Sequence, residues 1–347
     1  VESLVSLAWA ARLGVSQQAV ELVEDADFID LHQTTEVPVR LYGYDPEKHH
    51  PRRKRPNAFF GHCDFPRLAL AGYTGVFYDI TTNPLRGSAR SLELTTSNVR
   101  TARTRLDNAE NAMHAVRDIA GYLSRPEGTV AAWLSLQGGD AIAHDPTALD
   151  GWLGEQITRI TLVHMTRSRL GGTSSPLGKG GGITPRGAEV IEAMAANRIL
   201  LDLAHASRET FWDALEAHTG SLPPIVSHTG VCGVRDIWRN LDDDQLRAIA
   251  DRGGVIGILY HSPFLEPVVG HGKLAAVVAH ISHVIDVVGE ESVAIGSDYD
   301  GMILPPRDLP DITDHPLLVQ QFFDEGYSEA RIRKVLGENA LRVIATI

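Results

Sequence analysis

"ILLDLAHASRETFWDALEAHTGSLPPIVSH", residues 199–228, reads as strand, helix, strand. The apolar run 199–204 is too short for a helix and ends on His205. Ser207 is placed to cap the helix that follows, apolar residues then recur at helical spacing, and Gly220 stops it. "PIVSH" is a second short apolar run, and it too ends on a histidine, His228. A strand, a covering helix and a further strand make a βαβ unit, the building block of parallel sheets.

The same pattern recurs outward in both directions. Further strand candidates are "DFIDLH" (27–32), "TGVFYDI" (74–80), "VAAWLSLQ" (130–137), "RITLVH" (159–164), "GVIGILYH" (254–261) and "SVAIGSD" (292–298). Between them, "TPRGAEVIEAMAANR" has Thr184 as N-cap and Pro185 in its first turn, and "LDDDQLRAIADRGG" has acids in its first turn and glycines after its last. Eight strands alternating with helices predict an α/β fold, a (β/α)8 TIM-type barrel, over 1–347 as one domain. A doubly wound open sheet is the alternative, but no G-x-G-x-x-G follows an early strand. An amphipathic helix is expected over about 1–24, and a basic loop, "YDPEKHHPRRKRPN", over 44–57 near the barrel mouth.

Catalytic groups of such barrels stand at the carboxyl ends of the strands. Here those ends carry His32, Gln137, His164, His205, His228, His261 and Asp298. One histidine at a strand end is ordinary, but their recurrence at one topological position favours metal or acid/base chemistry over packing. Histidines elsewhere, among them His280 and His315, are read as structural.

Composition narrows the partners. The chain has 347 residues and a formal net charge of -12, which argues against nucleic acid. No apolar run is long enough for a membrane span. Two cysteines, Cys63 and Cys232, make neither a disulfide framework nor a thiolate cluster. With no visible signal, a cytoplasmic location is expected, which leaves open a targeting segment upstream.

Ordered segments along nearly the whole chain resemble the membrane (renal) dipeptidase family of zinc metallopeptidases, within the amidohydrolase-like barrels. They are "CDFPRLALAGYTGVFYDI", "GITPRGAEVIEAMAANRILLDLAHAS", "PPIVSHTGVCGVRDIWRNLDDDQLRAIADRGGVI", "HISHVIDVVGEESVAIGSDYDG" and "VLGENALRVI". In that family two zinc ions share a bridging glutamate. One ion also takes a His-x-Asp pair from the first strand, and the other takes a histidine from each of two later strands. The resemblance implies metal ligands at His32, His205 and His228. It implies His164 as the group stabilising the tetrahedral intermediate, Asp298 as the proton carrier, and Arg239 as the grip on the substrate carboxylate.

Two ligand positions depart from the pattern. Thr34 stands where the His-x-Asp pair needs its acid, and Gln137 stands at the bridge. Two anionic ligands are therefore gone from a site that must hold two cations together. Three imidazoles, or two with Asp298, remain for at most one zinc. Asp30 and Glu36 flank His32 as candidate replacements, and strand alternation puts Asp30 on the side of His32. Asp140 replaces a histidine that the family usually carries after the two glycines.

The expectation is a metallodipeptidase-like hydrolase with a degenerate metal site, acting on a dipeptide-like substrate with a carboxylate. Such barrels commonly form homodimers. The alternatives are a metal-free tailoring enzyme for a peptide-derived metabolite and a catalytically inactive ligand-binding homologue.

Overall fold

The computed structural model describes residues 2–51, 58–81 and 90–347. Its strands are β1 (Ile29–Gln33), β2 (Gly75–Thr81), β3 (Met113–Val116), β4 (Val130–Gln137), β5 (Arg159–Thr161), β6 (Leu200–Asp202), β7 (Val226–Thr229), β8 (Ile256–Ile258) and β9 (Val293–Ile295). They form one sheet in the order β6-β5-β4-β2-β1-β9-β8-β7, every pair parallel. At the seam, Ile225 N–H donates to Leu201 O and Leu203 N–H to Ile225 O, both at 2.9 Å. These bonds join β6 to the start of β7 and nearly close an eight-stranded barrel.

The eight expected strands are the eight of the ring. β3 was not expected from the sequence; it pairs with the first half of β4, Met113 opposite Val130, where β5 has not yet begun. Several ladders are shorter than their apolar runs. β5 ends at Thr161, so Leu162–His164 lie beyond it. The expected N-terminal helix is instead two helices, Glu2–Leu13 and Gln17–Asp25. Gly14 turns the chain at φ +70°, and the Ser16 hydroxyl accepts from Ala19 N–H to start the second. The expected caps at Thr184, Ser207 and Asp242 are present, the last as a full capping box with Gln245.

Register sorts the barrel interior into layers, because every second residue of a strand faces inward. Phe77 stands opposite Trp133, Asp79 opposite Ser135, and Thr81 opposite Gln137. Ser135 pairs in turn with Arg159, and Thr161 with Asp202. The floor is apolar: Ile29, Leu31, Phe77, Trp133, Leu200 and Ile225 pack with Val343 and Ile344. Above it lies a buried charged layer, Asp79, Arg159 and Asp202, and above that the mouth.

Two buried histidines away from the mouth hold the frame as neutral imidazoles. His315 donates Nδ1–H to Ile312 O at 2.8 Å and accepts from the Tyr73 and Tyr260 hydroxyls. His280 accepts Val231 N–H and donates to Leu265 O, each at 2.9 Å. Burial pushes both down to about 4. The unfolded chain therefore binds more protons than the folded one between about pH 6.5 and 4, so stability rises with pH across that window. Each group is worth up to about 1.4 kcal/mol per pH unit there. Denaturant midpoints measured at pH 7, 5.5 and 4.5 should fall steadily. A flat profile would contradict this assignment.

Candidate metal and catalytic site

β1 and β7 each carry a register shift, between Asp30 and Gln33 and between Val226 and Thr229. A bulge lets neighbouring residues abandon strict alternation, and bulges often re-aim side chains beside active sites. Here they bring His32 and His228 into the barrel, where their rings stack with centroids 3.7 Å apart. The β7 bulge needs space beside it. A Cβ on Gly296 would lie 1.8 Å from the Ser227 carbonyl oxygen. His205 and Asp298 lie beyond β6 and β9 in left-handed backbone, φ +66° and +62°. That conformation is uncommon without glycine, and strain of this kind gathers at functional sites.

At the mouth, His205 Nε2 and His228 Nε2 are 2.9 Å apart. Asp298 Oδ1 stands 3.6 Å from His32 Nε2. The potential ligand atoms of His32, His228 and Asp298 all lie within 4.8 Å of one another. Gln137 Nε2 is 3.4 Å from the Nε2 atoms of both His205 and His228, and Thr81 donates its hydroxyl to Gln137 Oε1 at 2.9 Å. The amide thus turns its N–H side, not its oxygen, toward the two imidazoles. Thr34 donates its hydroxyl to the Tyr299 carbonyl at 3.0 Å and is occupied there.

Neither flanking acid replaces these positions. Asp30 accepts from His32 N–H, Ser297 N–H and the Ser297 hydroxyl, and the β1 bulge undoes the simple alternation that had placed it beside His32. Glu36 accepts from Tyr78 and pairs with Arg105. Asp140 caps the Arg169 amide at 2.7 Å. His261 accepts Leu304 N–H and stands edge-on to Phe264. Residues 52–57 of the basic loop lie outside the described residues. In its described part His50 N–H donates to Asp64.

Arg239 is buried and His164 half-buried, each with an unused polar atom. Arg239 donates to the His228 carbonyl at 2.6 Å, and its Nε has no partner. Burial lowers it to about 10, against the pull of Asp298 and Asp202, so the guanidinium stays charged at neutral pH. His164 stands perpendicular to His205 at 4.7 Å with Nδ1 unpartnered. Burial, then His32 and Arg239, push it down to about 3, so it is a neutral imidazole. Burial pushes the Asp298 carboxyl up to about 7, against His32 and Arg239.

Beneath these groups lie residues that the sequence reading did not single out. Arg159, fully buried, pairs with Asp79 and Asp202 and donates to Leu31 O and the Ser135 hydroxyl. Asp79 Oδ2 is 2.8 Å from His32 Nδ1. Asp202 Oδ2 accepts from the Thr161 and Ser227 hydroxyls, both at 2.6 Å. A charge in the middle of a buried strand demands a partner, and that signal stands in the sequence at Asp79 and Arg159.

Imidazoles, a carboxylate and an orphaned His32 Nε2 are donors of the kind that zinc takes. At position 137 the amide presents N–H to the imidazoles.

A model described as membrane dipeptidase, peptidase family M19, matches residues 16–347. The dipeptidase verJ of Clonostachys rogersoniana is 27% identical over 349 residues, covering 95% of this chain and 86% of that protein. An uncharacterized protein in the pqqA 5′ region of Klebsiella pneumoniae is 34% identical over 174 residues, 48% of this chain. That match spans 62% of the relative, less than two thirds of its length. The crystal structure of the probable dipeptidase PvdM from Pseudomonas aeruginosa shares the fold, with TM-score 0.84 at 18% identity over 95% of this chain and 97% of that one.

Proposed function

The chain belongs to the membrane dipeptidase family, peptidase family M19, and is by that membership a dipeptidase-like hydrolase; on that premise we propose that it cleaves a dipeptide or similar small amide bearing a free carboxylate, at a centre of at most one zinc ion. The observation that carries this reading is the contrast across the mouth. Arg239 Nε and His164 Nδ1 are buried and unpartnered, whereas Gln137 and Thr34 are bonded to protein groups where anionic ligands would be needed.

In this mechanism Arg239 holds the substrate carboxylate with its charged fork. His164, neutral, donates N–H to the oxygen that gains charge as the amide carbon becomes tetrahedral. Asp298 takes the proton of the attacking water and returns it to the departing amine. His32, His205, His228 and Asp298 are the donors available to the ion, which when bound makes water more acidic and polarises the carbonyl.

Turnover of free dipeptides by the purified chain, with zinc counted by elemental analysis, tests the whole. Hydrolysis with no more than one zinc per chain is expected. Hydrolysis with two would overturn the single-ion centre, and a loaded chain inert to every dipeptide would overturn the substrate class. Arg239→Ala should lower kcat/KM for a free dipeptide about 10- to 100-fold, the loss of a charge-assisted hydrogen bond. The carboxamide of the same dipeptide should respond little. Equal losses on both would remove Arg239 from carboxylate binding.

A metal-free site is the second reading, favoured by the direct 2.9 Å contact of His205 Nε2 with His228 Nε2. It predicts no zinc uptake from excess metal.

A further inference from the structure

The three imidazoles at the mouth differ in what stands behind them. His32 Nδ1 faces Asp79 Oδ2 at 2.8 Å. Arg159 Nη2 lies farther from Nδ1, at 3.2 Å, and donates to Asp79, so the nearer carboxylate accepts Nδ1–H; Nε2 is then a lone pair, buried and without a hydrogen-bond partner. His228 Nδ1 lies 2.8 Å from Ser227 Oγ, and that hydroxyl gives its own proton to Asp202 Oδ2. The oxygen must then accept Nδ1–H, so the Nε2 of His228 is a lone pair as well. His205 has no such support, since its Nδ1 is buried without a partner. Ligating histidines almost always donate their second N–H to a carboxylate, carbonyl or water.

Charge divides the mouth the same way. On the His32 side Asp298 Oδ1 is within 3.6 Å of Nε2. On the His205 side Nε2 meets only neutral groups, the His228 imidazole at 2.9 Å and the Gln137 amide at 3.4 Å. Below, a single guanidinium, Arg159, stands between Asp79 and Asp202, so one negative charge is in excess behind His32 and His228.

We propose that the single ion is held by His32 Nε2, His228 Nε2 and an Asp298 carboxylate oxygen, that Asp79 and Asp202 are the positioning carboxylates for the two imidazoles, and that His205 is not a ligand. This rests on the one-ion reading above and narrows it. It joins residues that the family resemblance divides between two ions, and adds Asp298 to them. His205 is left to brace His164, edge-on at 4.7 Å.

The test is Zn²⁺ affinity by chelator competition and the Co²⁺ absorption spectrum, on the full chain, with near-ultraviolet circular dichroism as the folding control. His205→Asn, a side chain that tolerates left-handed backbone, should change Zn²⁺ affinity by less than about threefold and leave the Co²⁺ spectrum in place. Asp79→Asn should weaken binding about 10- to 100-fold. His32→Ala and His228→Ala should abolish it. Anomalous scattering from the zinc-loaded native chain reads the ligands without any variant. Loss of the ion in His205→Asn with retention in His32→Ala would overturn the ligand set and leave the one-ion hydrolase standing. A native chain that takes up neither metal would overturn both, and two ions per chain would overturn the one-ion reading and this set with it.

Discussion

Thr34→Asp combined with Gln137→Glu is expected to raise zinc content from at most one ion per chain to two, and dipeptide kcat/KM by about 100-fold or more. Coulomb's law sets the scale. Two unit charges 4 Å apart interact by about 4 kcal/mol at an effective dielectric of 20, so two dications at that distance repel by about four times as much. A bridging carboxylate lies between them and offsets much of that; an amide turning N–H inward adds to it. Gln137 is so turned, since its oxygen accepts from Thr81. A glutamate there would present an oxygen to His205 and His228 in place of the nitrogen now 3.4 Å from each. Thr34 is held by the Tyr299 carbonyl, and an aspartate cannot donate to that oxygen, so it would be repelled from it. Each single variant restores one charge and should give a small part of the gain. Two zinc ions without dipeptide hydrolysis would mean the pocket has diverged too; one zinc in the double variant would refute the ligand assignment at 34 and 137.

What the sequence disclosed of the fold follows from how barrels are made. Each ring strand is buried on both faces and reads as an apolar run; each run ends where the chain turns to the mouth, so His32, Gln137, His205 and His228 could be placed by position alone. β3 was hidden because "MHAV" is short and half-buried on its outer face, with little to separate it from the helix before it. The bulges in β1 and β7 were hidden too. Register is a property of pairs of strands, and no single run shows that Leu31 and His32 both turn inward. The charged layer was legible only as isolated anomalies, Asp79 within "VFYDI" and Arg159 opening "RITLVH". That they meet depends on the ladder placing Asp79 opposite Ser135 and Ser135 opposite Arg159.

Arg159→Leu should be the most destabilising single change in the barrel. Removing one partner of a buried ion pair costs about 3–5 kcal/mol, a large share of the 5–15 kcal/mol by which domains are stable. The loss should fall on one carboxylate. Asp202 keeps the hydroxyls of Thr161 and Ser227 and the amides of Ala204 and Ser227. Asp79 would keep only His32, for its Oδ1 already has no partner. In the native chain Asp79 is fully buried, and Arg159, then His32, hold it below the usual carboxylate range against the opposing effect of burial. Without the arginine its pKa should rise above the unfolded value. At Asp79 the folded variant would then bind more protons than the unfolded chain, so the contribution of this group to stability should fall as pH rises from about 4. The deficit against the native chain is accordingly expected to be largest at neutral pH and to shrink on acidification, read from denaturant midpoints at pH 7 and 4.5. Adding Asp79→Asn to Arg159→Leu removes the stranded charge and should recover most of the loss. A double variant no more stable than Arg159→Leu, with a deficit that does not change with pH, would place the cost in lost packing around Phe77, over whose ring the guanidinium lies at 5.1 Å, and not in the charge.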